Sequence, residues 1–175
     1  MALNNQSNIT NFMIDIPAST GIKSSLMNVQ TASIPGFRIP PTELPLAEQG
    51  TARQNVPSTT TEFEPLIVRF LMDEDYESYL EIYRWMLSLN DYARQTPSMW
   101  GTVHQPTAIT LHVLNNSKRD IVASFNYYGA WPSEIGEIEY SYTEEGDVSV
   151  TFTVTFFFKY FEIEKGGNLV RPLRG

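Results

Sequence analysis

Only two imidazoles are available for chemistry in this chain, His104 and His112, and there is no cysteine. Disulfides, thiolate metal sites and a cysteine nucleophile are therefore excluded. Neither histidine belongs to an HExxH pattern or has a third ligand nearby in sequence, so a structural or surface role is expected for both. The acidic run Asp73-Glu74-Asp75 lacks the glycine and the oxygen-ligand spacing of a calcium loop. Carboxylates there suit the positive end of a helix dipole instead. Glu134, Glu137 and Glu139 could supply paired carboxylates for glycoside hydrolysis, but nothing in their spacing predicts the separation such chemistry needs. No nucleophile elbow, P-loop or dinucleotide fingerprint is present. Arg84-Trp85 is a single basic–aromatic step on a helix, not a stacking groove. No catalytic, cofactor or metal site is expected.

What remains is a scaffold. The 175 residues carry 12 basic and 20 acidic side chains, a net charge of −8, with 42% hydrophobic and 13% aromatic content. That is one domain with enough apolar material for a core. Binding to a phosphate backbone is disfavoured, since it needs clustered Lys and Arg. The first residues have neither a basic nor an apolar targeting region, and no apolar run approaches 18 residues. A soluble protein made in a cytoplasm is the expectation.

Residues 1–9 are polar and suggest an arm. Thr10–Ile16 and Ser25–Ser33 suggest two strands paired as a hairpin. Residues 40–61 contain Pro40, Pro41, Pro45 and Pro57 with few large apolar side chains; they suggest a long, extended loop that packs poorly on its own domain. Glu62–Met72 is a strand. A helix over about 74–90 follows, with Tyr76, Tyr79, Leu80, Tyr83, Leu87 and Asn90 as its apolar stripe. Ala108–Leu114 and Ile121–Tyr128 form a hairpin about the turn at Asn115–Asp120. Gly129–Pro132 breaks the second strand, Glu137–Tyr142 resumes as strand, and Glu144–Asp147 is the next turn. Val148–Tyr160 alternates strictly and suggests one strand of roughly 40 Å, long enough to reach past its own core. The domain should span 10–163, with a basic tail at 164–175. The expected class is mainly β: two packed antiparallel sheets in a sandwich or barrel with one flanking helix.

One segment is more specific. Gly129-Ala130-Trp131-Pro132-Ser133-Glu134-Ile135-Gly136-Glu137-Ile138 resembles the G-x-W-P-x-x-[IV]-G-x-[ILV] signature of tail tube proteins from contractile-tailed bacteriophages. The resemblance extends to Asn11–Ile16, to Thr31–Gly36, to the strand–helix unit ending at Trp85, and to the alternating strand ending in Phe158–Glu162. Gly129, Trp131, Pro132 and Gly136 carry it.

The resemblance implies a structural, non-enzymatic subunit without cofactors. Such subunits form hexameric rings by edge-to-edge strand pairing, and the rings stack into a hollow tube that conducts DNA during ejection. Implied partners are further copies, a sheath protein outside, tape-measure protein and DNA inside without specific binding, and baseplate and tail-terminator proteins. There is no membrane role; the location is the virion, with assembly in the host cytoplasm. On this basis Leu44, Leu46 and Val56 are expected at an inter-subunit contact, Glu137 and Glu139 at the lumen, and Trp131 in the core of a tight corner. The arm and the tail differ from the family pattern. They leave open an end-of-tube paralogue, either a baseplate tube initiator or a tail terminator, or the tube of a related contractile injection system. A carbohydrate-binding β-sandwich is the more distant alternative.

Overall fold

A computed structural model describes residues 6–17, 20, 28–46, 52–96, 108–142 and 149–172. Along the chain run β1 (Phe12–Asp15), β2 (Val29–Ala32), β3 (Phe37–Arg38), β4 (Pro41–Pro45), β5 (Arg53–Pro57), β6 (Glu62–Phe63) and β7 (Leu66–Leu71). Then follow α1 (Glu77–Leu89), β8 (Ala108–Leu114), β9 (Ile121–Tyr128), β10 (Trp131–Ile135), β11 (Thr151–Phe157), β12 (Tyr160–Lys165) and β13 (Asn168–Leu169). A five-stranded sheet has the order β1-β8-β9-β12-β13, and a four-stranded sheet the order β10-β11-β7-β2. Every pairing is antiparallel. The mainly β class with several antiparallel sheets and one helix is as expected.

Alternation builds the core. Leu66, Val68 and Phe70 of β7 and Phe152, Val154 and Phe156 of β11 are buried and paired in register, with Phe70 stacked on Phe152 at 5.3 Å. Ile14, Ile109, Leu111 and Tyr127 supply the buried face of the larger sheet. α1 completes the core through Ile82, Trp85 and Leu89.

Several expectations need correction. β1 and β2 are not a hairpin: β1 pairs with β8 and β2 with β7, in different sheets. Their local sequences suit a strand, but partner choice is decided by distant residues. The single long strand is two. β11 ends at Phe157, the chain turns at 158–159, and β12 enters the other sheet. Val148 and the turn at Glu144–Asp147 lie outside the described residues. Residues 137–142 form no strand; β10 lies earlier and includes Pro132.

The buried side of α1 is Ser78, Glu81, Ile82, Trp85 and Leu89, not the expected tyrosine stripe, whose Leu80 and Tyr76 are exposed. The start of α1 explains the acidic run, because the Ser78 N–H donates to Asp73 Oδ1 at 3.2 Å. The loop at 40–61 is a paired ribbon of β4 and β5. The expected tail begins inside β12, which turns through Gly166 and Gly167, both at positive φ, into β13. That is the conformation of a type I′ hairpin turn. At the other end, Asn116 Nδ2 donates to the Gln6 carbonyl at 2.9 Å, tying part of the expected arm to the β8–β9 turn.

Candidate assembly surfaces

The signature residues make a sheet-to-sheet corner. β9 belongs to the larger sheet and β10 to the smaller, and Gly129 turns between them at φ +62°. A non-glycine residue is strained there. Beside it β11 crosses back into β12, so two antiparallel strands pass between sheets as a pair. Tyr128 pairs with Tyr160 before the corner and Trp131 with Phe157 after it, each pair stacked, at 4.9 and 5.9 Å. Pro132 is buried. Gly136 donates to the Thr153 carbonyl at 2.7 Å, and a Cβ there would stand 3.3 Å from that oxygen. Trp131, expected in the core, packs against it but is half-buried. Trp85, 1% exposed, is the fully buried tryptophan among the described residues.

Trp131 instead walls a groove of about 680 Å³ between α1 and β10, lined also by Tyr83, Met86, Leu87, Tyr92 and Pro132. Tyr83 and Tyr92 share a hydroxyl–hydroxyl hydrogen bond at 2.6 Å, and this bond pushes the Tyr83 phenol above its ordinary pKa. Sequence reasoning missed the groove. The cue was present in Met86 at the end of α1, left out of the expected stripe beside its members Tyr83 and Leu87.

The ribbon bearing Leu44, Leu46 and Val56 stands on an aromatic base. Phe37 of β3 and Phe63 of β6 pack on Phe161 at 6.0 and 5.6 Å. Above that base the ribbon is exposed, with Leu44 at 42% and Leu46 at 60%, and Val56 half-buried. Arg53 and Glu43 pair across it at 2.9 Å.

Glu137 and Glu139 are both exposed, flanking Ile138, which packs on the core. A larger acidic surface escaped the sequence reading. On the outward face of the five-stranded sheet, Asp15, Thr110, Asn126 and Glu162 lie in one cross-strand row, and Met13, His112, Ser124 and Glu164 in the next. Thr110 donates to Asn126 at 2.9 Å, and His112 Nδ1 lies 2.8 Å from Ser124 Oγ. Its signal was the alternation of Glu162 and Glu164 with Phe161 and Ile163. His112 thus sits in a sheet-face hydrogen bond, while His104 lies outside the described residues. No cluster of three metal-ligating side chains occurs among the described residues, and no described helix is long and apolar enough to cross a membrane.

Two packed antiparallel sheets exchanging strands at a Gly-x-Trp-Pro corner, with one helix alongside, define a tube-type β fold. The chain belongs to the phage tail tube protein family, whose sequence model matches residues 24–164. It is 40% identical over 168 residues to the tail tube terminator protein of Enterobacteria phage T4, covering 95% of this chain and 93% of that one. Among solved structures, its fold resembles the tube-terminating cap of the anti-feeding prophage, with a TM-score of 0.65 at 12% identity over 95% of each chain. It also resembles the sheath/tube terminator of the PVC extracellular contractile injection system, with a TM-score of 0.62 at 12% identity, over 93% of this chain and 99% of that one.

Proposed function

We propose that this chain is the subunit of a ring that ends the tail tube of a contractile phage tail: a structural part of the virion, assembled in the host cytoplasm, with no enzymatic role. The observation carrying this reading is the 40% identity to the phage T4 terminator across nearly the whole of both chains. It favours the end-of-tube paralogue over the bulk tube subunit.

Physical support comes from the sheet edges. An open edge normally has to be blunted against pairing with another chain. Here β10 is blunted by Pro132 and a bulge, and β2 by a bulge between Val29 and Thr31. β13 has two residues. β1 is unbulged, lacks proline and exposes Met13, so it is the edge best able to accept a strand from a neighbouring copy. Edge pairing that repeats head to tail closes a ring. Six copies is the number we propose, with the tube below the ring and sheath protein outside. Tape-measure protein and DNA pass through the lumen, and the exposed ribbon reaches a neighbouring subunit through Leu44, Leu46 and Val56. An acidic wall repels phosphate, so DNA slides along it. Glu137 and Glu139 are one candidate for that wall, and the rows holding Asp15, Glu162 and Glu164 are another.

The test is electron microscopy and native mass of the purified protein, alone and with the tube protein of the same phage. Closed rings that do not elongate alone, and that stop tube growth when added, are expected. Long tubes from this protein alone would make it the bulk tube subunit. A monomer under all conditions would overturn the ring.

A further inference from the structure

We propose that the proline-rich ribbon of one copy docks in the aromatic groove between α1 and β10 of the next copy. This rests on the ring reading above and names the surface that receives the ribbon.

The ribbon has the properties of a ligand. Pro41, Pro45 and Pro57 remove backbone donors from β4 and β5, so its outer edges are poor templates for strand addition. Recognition must therefore come through side chains. Its exposed apolar side chains are leucine and proline, and the ion pair Glu43–Arg53 is satisfied within the ribbon, so no unpaired charge from that pair enters an apolar site. Strand pairing and proline hold the ribbon extended before contact, which reduces the freedom lost on docking.

The groove has the matching properties. Its volume of about 680 Å³ lies within the roughly 300–1,000 Å³ of clefts that enclose compact ligands. Tyr83, Tyr92 and Trp131 present aromatic surface, and Met86 adapts its shape to what enters. Aromatic-lined grooves that take extended proline-containing segments are a recurrent mode of recognition. One of the two tyrosine hydroxyls already donates to the other, so covering them leaves a single O–H proton for an acceptor on the ribbon to take. Knob and hole lie on different elements, so contacts can run head to tail from copy to copy, as ring closure requires. Each such contact covers one ribbon and one groove.

The absence of cysteine makes the test clean. Leu44→Cys and Leu87→Cys proteins are mixed, allowed to assemble and oxidised with diamide. A control mixture pairs Leu44→Cys with Ser117→Cys, on the exposed β8–β9 turn. Docking should give at least about tenfold more heterodimer with Leu87→Cys than with the control, because it raises the local thiol concentration. The double variant Leu44→Cys/Leu87→Cys, oxidised at high dilution, should give no internal disulfide; a monomer that closes on itself would show the ribbon filling its own groove and would overturn the proposal. Rings that form without crosslinking above control overturn this inference and leave the ring standing. A wild-type protein that never leaves the monomer overturns both.

Discussion

Gly129 and Lys159 face each other where the chain passes between the two sheets: a Cβ on Gly129 would stand 3.0 Å from the Lys159 side chain. The crossing is locked by backbone as well, since the Lys159 N–H donates to the Tyr128 carbonyl at 2.9 Å. Both strand exchanges thus meet at one point, with a stacked aromatic pair on either side. This joint makes one body of the two sheets, and Gly129 of the signature stands at it.

Gly129→Ala should therefore destabilise by two separable effects. The left-handed conformation costs an L-residue roughly 1–2 kcal/mol, a melting temperature lower by roughly 2–8 °C in a chain of this size. The Lys159 side chain is flexible and can move aside. Adding Lys159→Ala should therefore recover little, whereas Gly129→Asn should cost less than Gly129→Ala, because asparagine tolerates this region. Thermal melts of the three variants check it; a Gly129→Ala protein with wild-type melting temperature would refute it.

The two tryptophans should separate stability from assembly. Trp85 is in the core against Phe156 at 5.9 Å, and truncating a core aromatic costs about 3–5 kcal/mol. Trp85→Ala should fail to fold at growth temperature. Trp131→Ala loses a half-buried stack, about 0.5–1.5 kcal/mol beyond the area it buries, and should remain folded yet lose ring formation. Calorimetry with native mass measurement distinguishes the two. Equal destabilisation would return Trp131 to a purely structural role.

Elements with strong periodicity were legible from sequence, and their partners were not. β8, β9 and the turn between them match the expected bounds because contacts there are local. The period-2 face of Phe152, Val154 and Phe156 was also plain. The break after Phe157 was hidden because Phe158 and Tyr160 continue the alternation while the chain changes sheets. The ribbon was hidden because proline argues against a strand, and both strands of a two-stranded ribbon are edges, where it is tolerated. The signature pointed to the corner and to Trp131, which packs half-buried against the core that holds Trp85. Glu162 and Glu164 were overlooked as a surface because the expected strand stopped at Tyr160 and Glu164 was placed in the tail.

Tyr127 offers a gain of stability. Its ring is fully buried, and its hydroxyl has no hydrogen-bond partner among the described residues. Burial pushes its pKa well above the ordinary value. An unsatisfied buried hydroxyl costs about 1–3 kcal/mol, so Tyr127→Phe should raise the melting temperature by a few degrees, roughly 2–4 °C per kcal/mol. The pH dependence has a definite sign. With the folded value raised, the unfolded chain loses its proton first, so this contribution is complete below about pH 10 and stability falls as pH rises beyond it. The advantage of Tyr127→Phe should widen between pH 9 and pH 11. A constant advantage would show that the phenol ionises freely in the folded state.

The acidic surface can be probed by reversal. Glu137→Lys/Glu139→Lys should leave rings intact, because neither side chain is buried, and neither is ion-paired among the described residues. If these residues face the lumen, cations there bind passing phosphates and release counterions, so ejection slows at low salt and recovers as salt rises. Genome-release kinetics at two salt concentrations measure this. Unchanged kinetics at both would move the channel wall to another face, and the same reversal at Glu164 then tests the larger sheet.

Removing the ribbon tests whether it serves assembly alone. Among the described residues, the buried core draws none from Pro41–Pro57, and the strands of the ribbon pair with each other. Replacing Glu43–Val56 by a short Gly/Ser linker therefore takes nothing from the core, and a shorter loop closes with less entropic cost. The melting temperature should not fall, and the circular dichroism should stay β-rich. Leu44 and Leu46 go with the ribbon, however, and so does the contact proposed for them with a neighbouring copy. The variant should remain a soluble monomer at concentrations where the wild type is a ring, and should no longer stop the growth of tubes. Rings of wild-type mass and activity from the shortened chain would show that the ribbon is a tolerated insertion.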